Sequence, residues 1–130
     1  MPGAVPVVLD TNALLLPFTD GTDIEAEAEG LLGAVCFVVP RPVVTELETL
    51  AAGGDATARA ARGALRLMER FDAEPSANPG DDAVLDVATR LRAAVLSNDR
   101  RLQSEARRRG LVVLASRGRG RLHRLDSGVA

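Results

Sequence analysis

A chain of 130 residues that is 46 % apolar holds material for one hydrophobic core and too little for two, which excludes a disordered segment and a multidomain assembly. One cysteine and one histidine exclude a disulfide framework and a zinc cluster, and no apolar run approaches the ~20 residues of a membrane helix. The net charge of −2 conceals a split, because residues 1–99 carry 16 acids and 7 arginines whereas residues 100–130 carry 2 acids and 9 arginines, with no lysine anywhere.

Residues 5–9 read as a buried strand and residues 12–17 as a short loop or helical turn. Residues 22–32 read as a helix, with Thr22 and Glu25 spaced as a capping box and Gly33 as its end. A continuous apolar strand follows at 34–39, in which Cys36 is expected to be a buried core thiol. Pro40 and Pro42 punctuate, and residues 43–52 form a helix closed by Gly53 and Gly54. Residues 55–70 show the one-face spacing of another helix, residues 71–74 a short strand, and residues 75–80 a turn-rich loop. A helix over 81–92 carries Val84, Val87, Ala88 and Leu91 on one stripe. A strand at 94–97, a helix at 100–109 ending at Gly110, and a strand at 111–115 complete the pattern. The remainder, from about residue 116 to 130, is a basic, glycine-rich tail. Strands that are continuously apolar and alternate with helices call for a parallel sheet covered on both faces, an α/β domain spanning residues 1–130. The Met-Pro-Gly-Ala-Val-Pro start lacks the features of a secretory signal, so a soluble, cytoplasmic protein without membrane contact is expected.

Four acids stand where strands end and helices begin: Asp10, Glu46, Asp82 and Asp99. In parallel α/β folds ligands bind outside the carboxyl ends of the strands, and oxygen donors gathered there suit a hard divalent cation such as Mg²⁺ or Mn²⁺. Mutual repulsion among converging carboxylates itself calls for a cation, which can activate water for in-line attack on a phosphodiester. Each acid also has a structural use: Asp10 begins a turn, Asp81 or Asp82 caps a helix, Asp99 caps the next, and Glu46 is a surface charge. Helical geometry does not choose between Glu46 and Glu48, which flank the Val43–Leu47–Leu50 stripe on opposite sides. A phosphorelay receiver would need a lysine that the chain lacks.

Leu-Asp-Thr-Asn near the start, a mid-chain glutamate after a strand, Asp-Asp-Ala-Val-Leu, and Ser-Asn-Asp before a basic helix resemble the PIN-domain ribonucleases over almost the whole chain. The stretches at 39–51 and 110–122 look closest to the archaeal Fcf1/Utp24-like PIN proteins, which act in rRNA processing. The resemblance implies a three-layer α/β/α sandwich and Mg²⁺- or Mn²⁺-dependent hydrolysis of single-stranded RNA. Carried over by position, Asp10, Glu46, Asp82 and Asp99 match the metal-binding acids, and Asn12 and Ser97 match polar positions that orient a carboxylate. Asp82 is preferred to Asp81 because the family's acid directly precedes a small residue and then an apolar pair; Asp81 is then the cap or a further polar neighbour.

Arg100, Arg101, Arg107, Arg108 and Arg109, with Arg117, Arg119, Arg121 and Arg124, are expected to form a phosphate-tracking RNA surface beside Asp99. Among Phe18, Phe37 and Phe71, only Phe18 is placed to stack on a base; the other two read as core. Three settings fit: RNA processing or quality control with a ribosome-assembly partner, a toxin ribonuclease silenced by an antitoxin, and a non-catalytic RNA-binding assembly factor. Relatives commonly dimerise, and the helices at 22–32 or 55–70 are the surfaces expected to serve a homodimer.

Overall fold

The apolar runs become strands because they bury on both faces. In the computed structural model, which describes residues 3–125, Val7, Val8 and Leu9 of β1 (Val5–Leu9) and Ala94, Val95 and Leu96 of β4 (Ala94–Leu96) are all buried. Around them lie β2 (Val35–Pro40), β3 (Asp72–Glu74), β5 (Val113–Gly118) and β6 (Arg121–Arg124), in the order β3-β2-β1-β4-β5-β6. All neighbours are parallel except β5 and β6. The helices are α1 (Thr11–Thr19), α2 (Ile24–Leu32), α3 (Arg41–Ala51), α4 (Ala56–Leu67), α5 (Gly80–Leu91) and α6 (Arg100–Arg108). The result is a three-layer α/β/α sandwich with a mostly parallel sheet, as expected.

The chain leaves β1 toward β2 and β3 on one side and leaves β4 toward β5 on the other. Between β1 and β4 the sheet therefore has a switch point, where two consecutive connections diverge and leave a crevice at the strands' carboxyl ends. Asp10 directly follows β1, and Ser97 directly follows β4.

Several local readings change. Residues 12–17, expected as a short loop or helical turn, belong to a nine-residue helix: Asp10 caps α1, its Oδ1 accepting the Ala13 N–H at 2.8 Å, and burial of Ala13, Leu14 and Leu15 carries the helix through Pro17. The cap of α2 is Asp23, whose Oδ1 accepts the Ala26 N–H at 3.0 Å, while the Thr22 hydroxyl turns back to Asp20. Pro42 sits inside the first turn of α3, where its missing N–H costs nothing, so the helix starts two residues earlier than expected. Cys36 is half-buried rather than sealed in the core. Phe37 and Phe71 meet edge to face with centroids 5.0 Å apart.

Much of the expected tail is folded. Arg119 and Gly120 have φ of +57° and +74°, and Gly118 pairs with Arg121, so a two-residue turn with both φ positive folds β6 back on β5. Glu27 of α2 fastens β6 by accepting the Leu122 N–H at 2.9 Å and Arg121 Nε at 3.1 Å. Residues 126–130 of the expected tail lie outside the described residues.

Phe18 lies on α1, not in a loop, and its ring rests on Gly63 of α4; a Cβ at Gly63 would stand 2.7 Å from the ring. Gly63→Ala should therefore lower stability by about 1–2 kcal/mol in urea unfolding, although alanine is the better helix former. The double variant with Phe18→Ala should show no further loss from the alanine at 63. A Gly63→Ala protein more stable than wild type would show that the ring simply swings aside.

Candidate active site

The crevice between β1 and β4 opens into a cavity of about 210 Å³. Asp10, Thr11 and Asn12 line it from the first turn of α1, Pro42, Val43 and Glu46 from α3, Gly80, Asp81 and Val84 from α5, and Asp99 from the start of α6. Four helices thus point their N-termini at one space, as the carboxyl edge of a parallel sheet dictates, and their partial positive charge favours acids there. The helix caps and the acids are the same residues in two cases. Asp10 and Asp99 cap α1 and α6, Asp99 Oδ1 accepting the Leu102 N–H at 2.9 Å, and both also face the cavity.

Ser97 is fully buried behind them. Its hydroxyl donates to Asp10 Oδ2 and accepts the Asp99 N–H at 3.0 Å, so one oxygen registers both acids. Gln103 Nε2 donates to the Ser97 carbonyl at 2.7 Å, and Asn98 Oδ1 accepts the Ser116 N–H at 2.7 Å, tying the loop to α6 and β5. The Thr11 hydroxyl donates to Glu46 Oε1 and steers that carboxylate toward α1. Glu48 does not line the cavity, which resolves the choice that helical geometry left open.

The structure brings Asp10, Glu46 and Asp99 together, with Ser97 and Asn12 beside them, but their fourth acid is Asp81. Asp82 instead lines the neighbouring groove between α5 and α6. The reason is that α5 begins at Gly80, with Pro79 as its cap and no capping side chain, so Asp81 is not a cap but a member of the first turn. The signal was present in the periodicity: Asp81 precedes Val84 by three and Ala88 by seven, on the buried stripe, whereas Asp82 aligns with Leu85 and Asp86. Thr11 and Gln103 were missed because hydroxyl and amide partners across elements leave no spacing pattern.

Burial pushes the Asp10 carboxyl up to about 6, opposed by its bonds to Ser97 and Ala13 and reinforced by the charges of Asp81 and Asp99. Asp81 is raised too, by burial and then by Asp99, with Arg101 working against the rise. A cation would relieve this self-repulsion, and the donors are hard carboxylate oxygens. Among the described residues, no three His, Cys, Asp or Glu side chains are grouped closely enough to hold a metal ion directly. The carboxylate donors are of the kind that Mg²⁺ or Mn²⁺ takes while keeping several of its own waters.

The arginines separate. Arg100, Arg101, Arg108 and Arg109 line the α5–α6 groove, about 850 Å³, which shares Asp81 with the acidic cavity. Arg109 is engaged by Thr89 at 3.0 Å and Glu105 at 3.1 Å, and Arg108 pairs with Glu105 at 3.2 Å. Arg107 lies off this lining, half-buried, its Nε without a partner among the described residues. Arg117, Arg119 and Arg121 sit on the β5–β6 hairpin and line neither the groove nor the cavity. Phe18, at the far end of α1 and not lining the cavity, is not a stacking platform for it.

A family model described as a PIN-like domain matches residues 7–119. The chain is 29 % identical over 107 residues to Ribonuclease VapC9 of Archaeoglobus fulgidus, covering 82 % of this chain and 78 % of that one. Its fold is similar to that of the PIN domain endonuclease Utp24, with a TM-score of 0.74, 26 % identity and 92 % of each chain covered. A domain of a functionally unknown protein from Methanocaldococcus jannaschii shares the fold alone, with a TM-score of 0.67 and 19 % identity over 88 % of this chain and 93 % of that one.

Because its folded-state value is raised from 3.8 to about 6, ionised Asp10 penalises the fold. The penalty is absent below the unfolded value, grows as pH rises, and is complete above the folded one. In EDTA, Asp10→Asn should therefore be more stable than wild type at pH 8, by on the order of 2 kcal/mol, and about equal to it at pH 4. Thermal unfolding at the two pH values checks this; a pH-independent difference would remove Asp10 from the balance.

Proposed function

We propose that this chain, which belongs to the PIN-like domain family, is a metal-dependent endoribonuclease that hydrolyses phosphodiester bonds of single-stranded RNA. The observation that supports this most directly is the cavity at the β1–β4 crevice that gathers Asp10, Glu46, Asp81 and Asp99 beside an arginine groove. In this reading those four acids would hold Mg²⁺ or Mn²⁺, in part through the ion's own waters, and the ion would supply an activated water and neutralise charge at the phosphate.

The chain's own residues do the positioning. Ser97 holds Asp10 and Asp99 in one register, and Thr11 orients Glu46. Arg100, Arg101 and Arg108 track phosphates without reading sequence, while Asp82 at the rim acts on the ion through water at most. The uncapped first turns of α3 and α5 leave backbone N–H groups facing the space where a scissile phosphate would sit.

Resemblance to the Fcf1/Utp24-like proteins over almost the whole chain favours rRNA processing or RNA quality control, with a ribosome-assembly partner, in the cytoplasm. The similarity to Ribonuclease VapC9 favours a second setting, a toxin ribonuclease held silent by an antitoxin. In either setting, a homodimer through α2 or α4 is part of the proposal.

Labelled single-stranded RNA incubated with Mn²⁺, Mg²⁺ or EDTA tests the chemistry. Cutting should require metal and fall by about 100-fold or more in Asp10→Asn, Asp81→Asn and Asp99→Asn, but by less than about tenfold in Asp82→Asn. Equal losses in the Asp81 and Asp82 variants would return the fourth ligand to Asp82. RNA bound but uncut in every metal would support the non-catalytic assembly factor.

A further inference from the structure

The acidic cavity has a second neighbour. A shallow groove of about 760 Å³ runs between the start of α3 and the loop at 75–79, and it shares Pro42, Glu46 and Gly80 with the cavity. The three spaces therefore form one continuous track, with the arginine groove joined through Asp81, then the acids, then this groove. Their chemistry differs sharply. Four arginines line one end, whereas the other offers Pro42, Ala77 and Asn78, with Arg41 as the one cation and Glu46 as the one acid in its lining, and Pro79 borders both.

The loop that walls this groove is held from beneath. Ser76 Oγ donates to Asp86 Oδ2 at 2.8 Å and accepts the Asn78 N–H at 3.2 Å, and Arg90 Nη2 donates to the Pro75 carbonyl at 2.7 Å. Pro75 and Pro79 stiffen it further. What it presents outward is exposed Ala77, Asn78 and Pro79, and among the described residues no protein hydrogen bond engages the Asn78 side-chain amide. A fixed wall with apolar faces and one free amide, which both donates and accepts, suits the edge of a heterocycle rather than a phosphate.

We propose that this groove is a nucleobase subsite, taking one or two unpaired bases on one side of the scissile phosphate, packed on Pro42, Ala77 and Pro79 and read by Asn78. It rests on the ribonuclease reading and deepens it. Affinity comes from the arginine side, and choice of sequence comes from the proline side. No aromatic ring is needed, because unstacked bases lose water against the proline faces, and the amide discriminates among base edges.

The test is binding and cutting of fluorescein-labelled A12, C12 and U12 RNA by the full chain, with Asn78→Ala and Arg101→Ala compared with wild type. Binding is read by anisotropy in EDTA, so it does not depend on turnover. Wild type should rank the three RNAs over about fivefold or more, a single hydrogen bond's worth, and Asn78→Ala should compress that spread to below about twofold. Arg101→Ala should weaken all three alike and flatten the salt dependence. With Mn²⁺, the same compression should appear in relative cleavage rates. Cutting with a spread untouched by Asn78→Ala would overturn the subsite and leave the nuclease reading standing. Compression in binding without cutting in any metal would keep the subsite and refute the nuclease. No binding to any of the three would refute both.

Discussion

Beyond the backbone ladder that pairs Leu9 with Leu96, one hydroxyl group ties together the two acids at the working end of this fold. β1 and β4 are adjacent, yet the chain reaches them 85 residues apart and leaves them in opposite directions, so nothing covalent aligns their carboxyl ends. Ser97, sealed from solvent, bridges that gap by donating to Asp10 and accepting from the backbone of Asp99. With no water to substitute for either partner, the hydroxyl has one satisfied arrangement, and both acids inherit it.

The acids impose a cost that the fold distributes rather than removes. Four helix N-termini lend partial positive charge to the space, and two of the carboxylates satisfy backbone N–H groups as caps. These terms still leave Asp10 and Asp81 harder to ionise than ordinary aspartates. Stability and function pull against each other here, as is common where charge is concentrated for chemistry. Capping and facing the cavity also prove not to be rival roles: Asp10 caps with Oδ1 and accepts from Ser97 with Oδ2, and Asp99 caps with Oδ1 alone, yet both line the cavity.

Much of this was legible in the sequence, and the failures have particular causes. Apolar runs before Asp10 and Ser97 announced buried parallel strands, and three of the four acids singled out by their positions, Asp10, Glu46 and Asp99, line one cavity while Asp82 does not. Asp81 reads as a cap only if α5 begins one residue late; with the helix starting at Gly80 it belongs to the first turn instead. Residues 12–17 read as no more than a loop or a helical turn because Pro17 outweighed a hydrophobic face whose partner, α4, lies some 40 residues on. The basic tail concealed a hairpin, since Gly118, Arg119 and Gly120 read as flexible until the positive φ values of a two-residue turn give them a purpose. The arginines showed the limit of counting charge along a chain: the stretch after residue 99 divides between a groove beside the acids and an edge strand away from them.

The placement of β4 carries a consequence for how the molecule comes into being. A chain emerging N-terminus first can pair β1 with β2 and pack α1 against α4, yet β1 keeps an open edge until residues 94–96 arrive. Ser97 and Asp99 come with them, in the last quarter of the sequence. Until then the nascent protein holds Asp10, Glu46 and Asp81 without the hydroxyl that bonds Asp10 or the fourth acid of the cavity. The four-acid cavity is thus a late product of the chain, complete only once the strand that closes the open edge of β1 has been made.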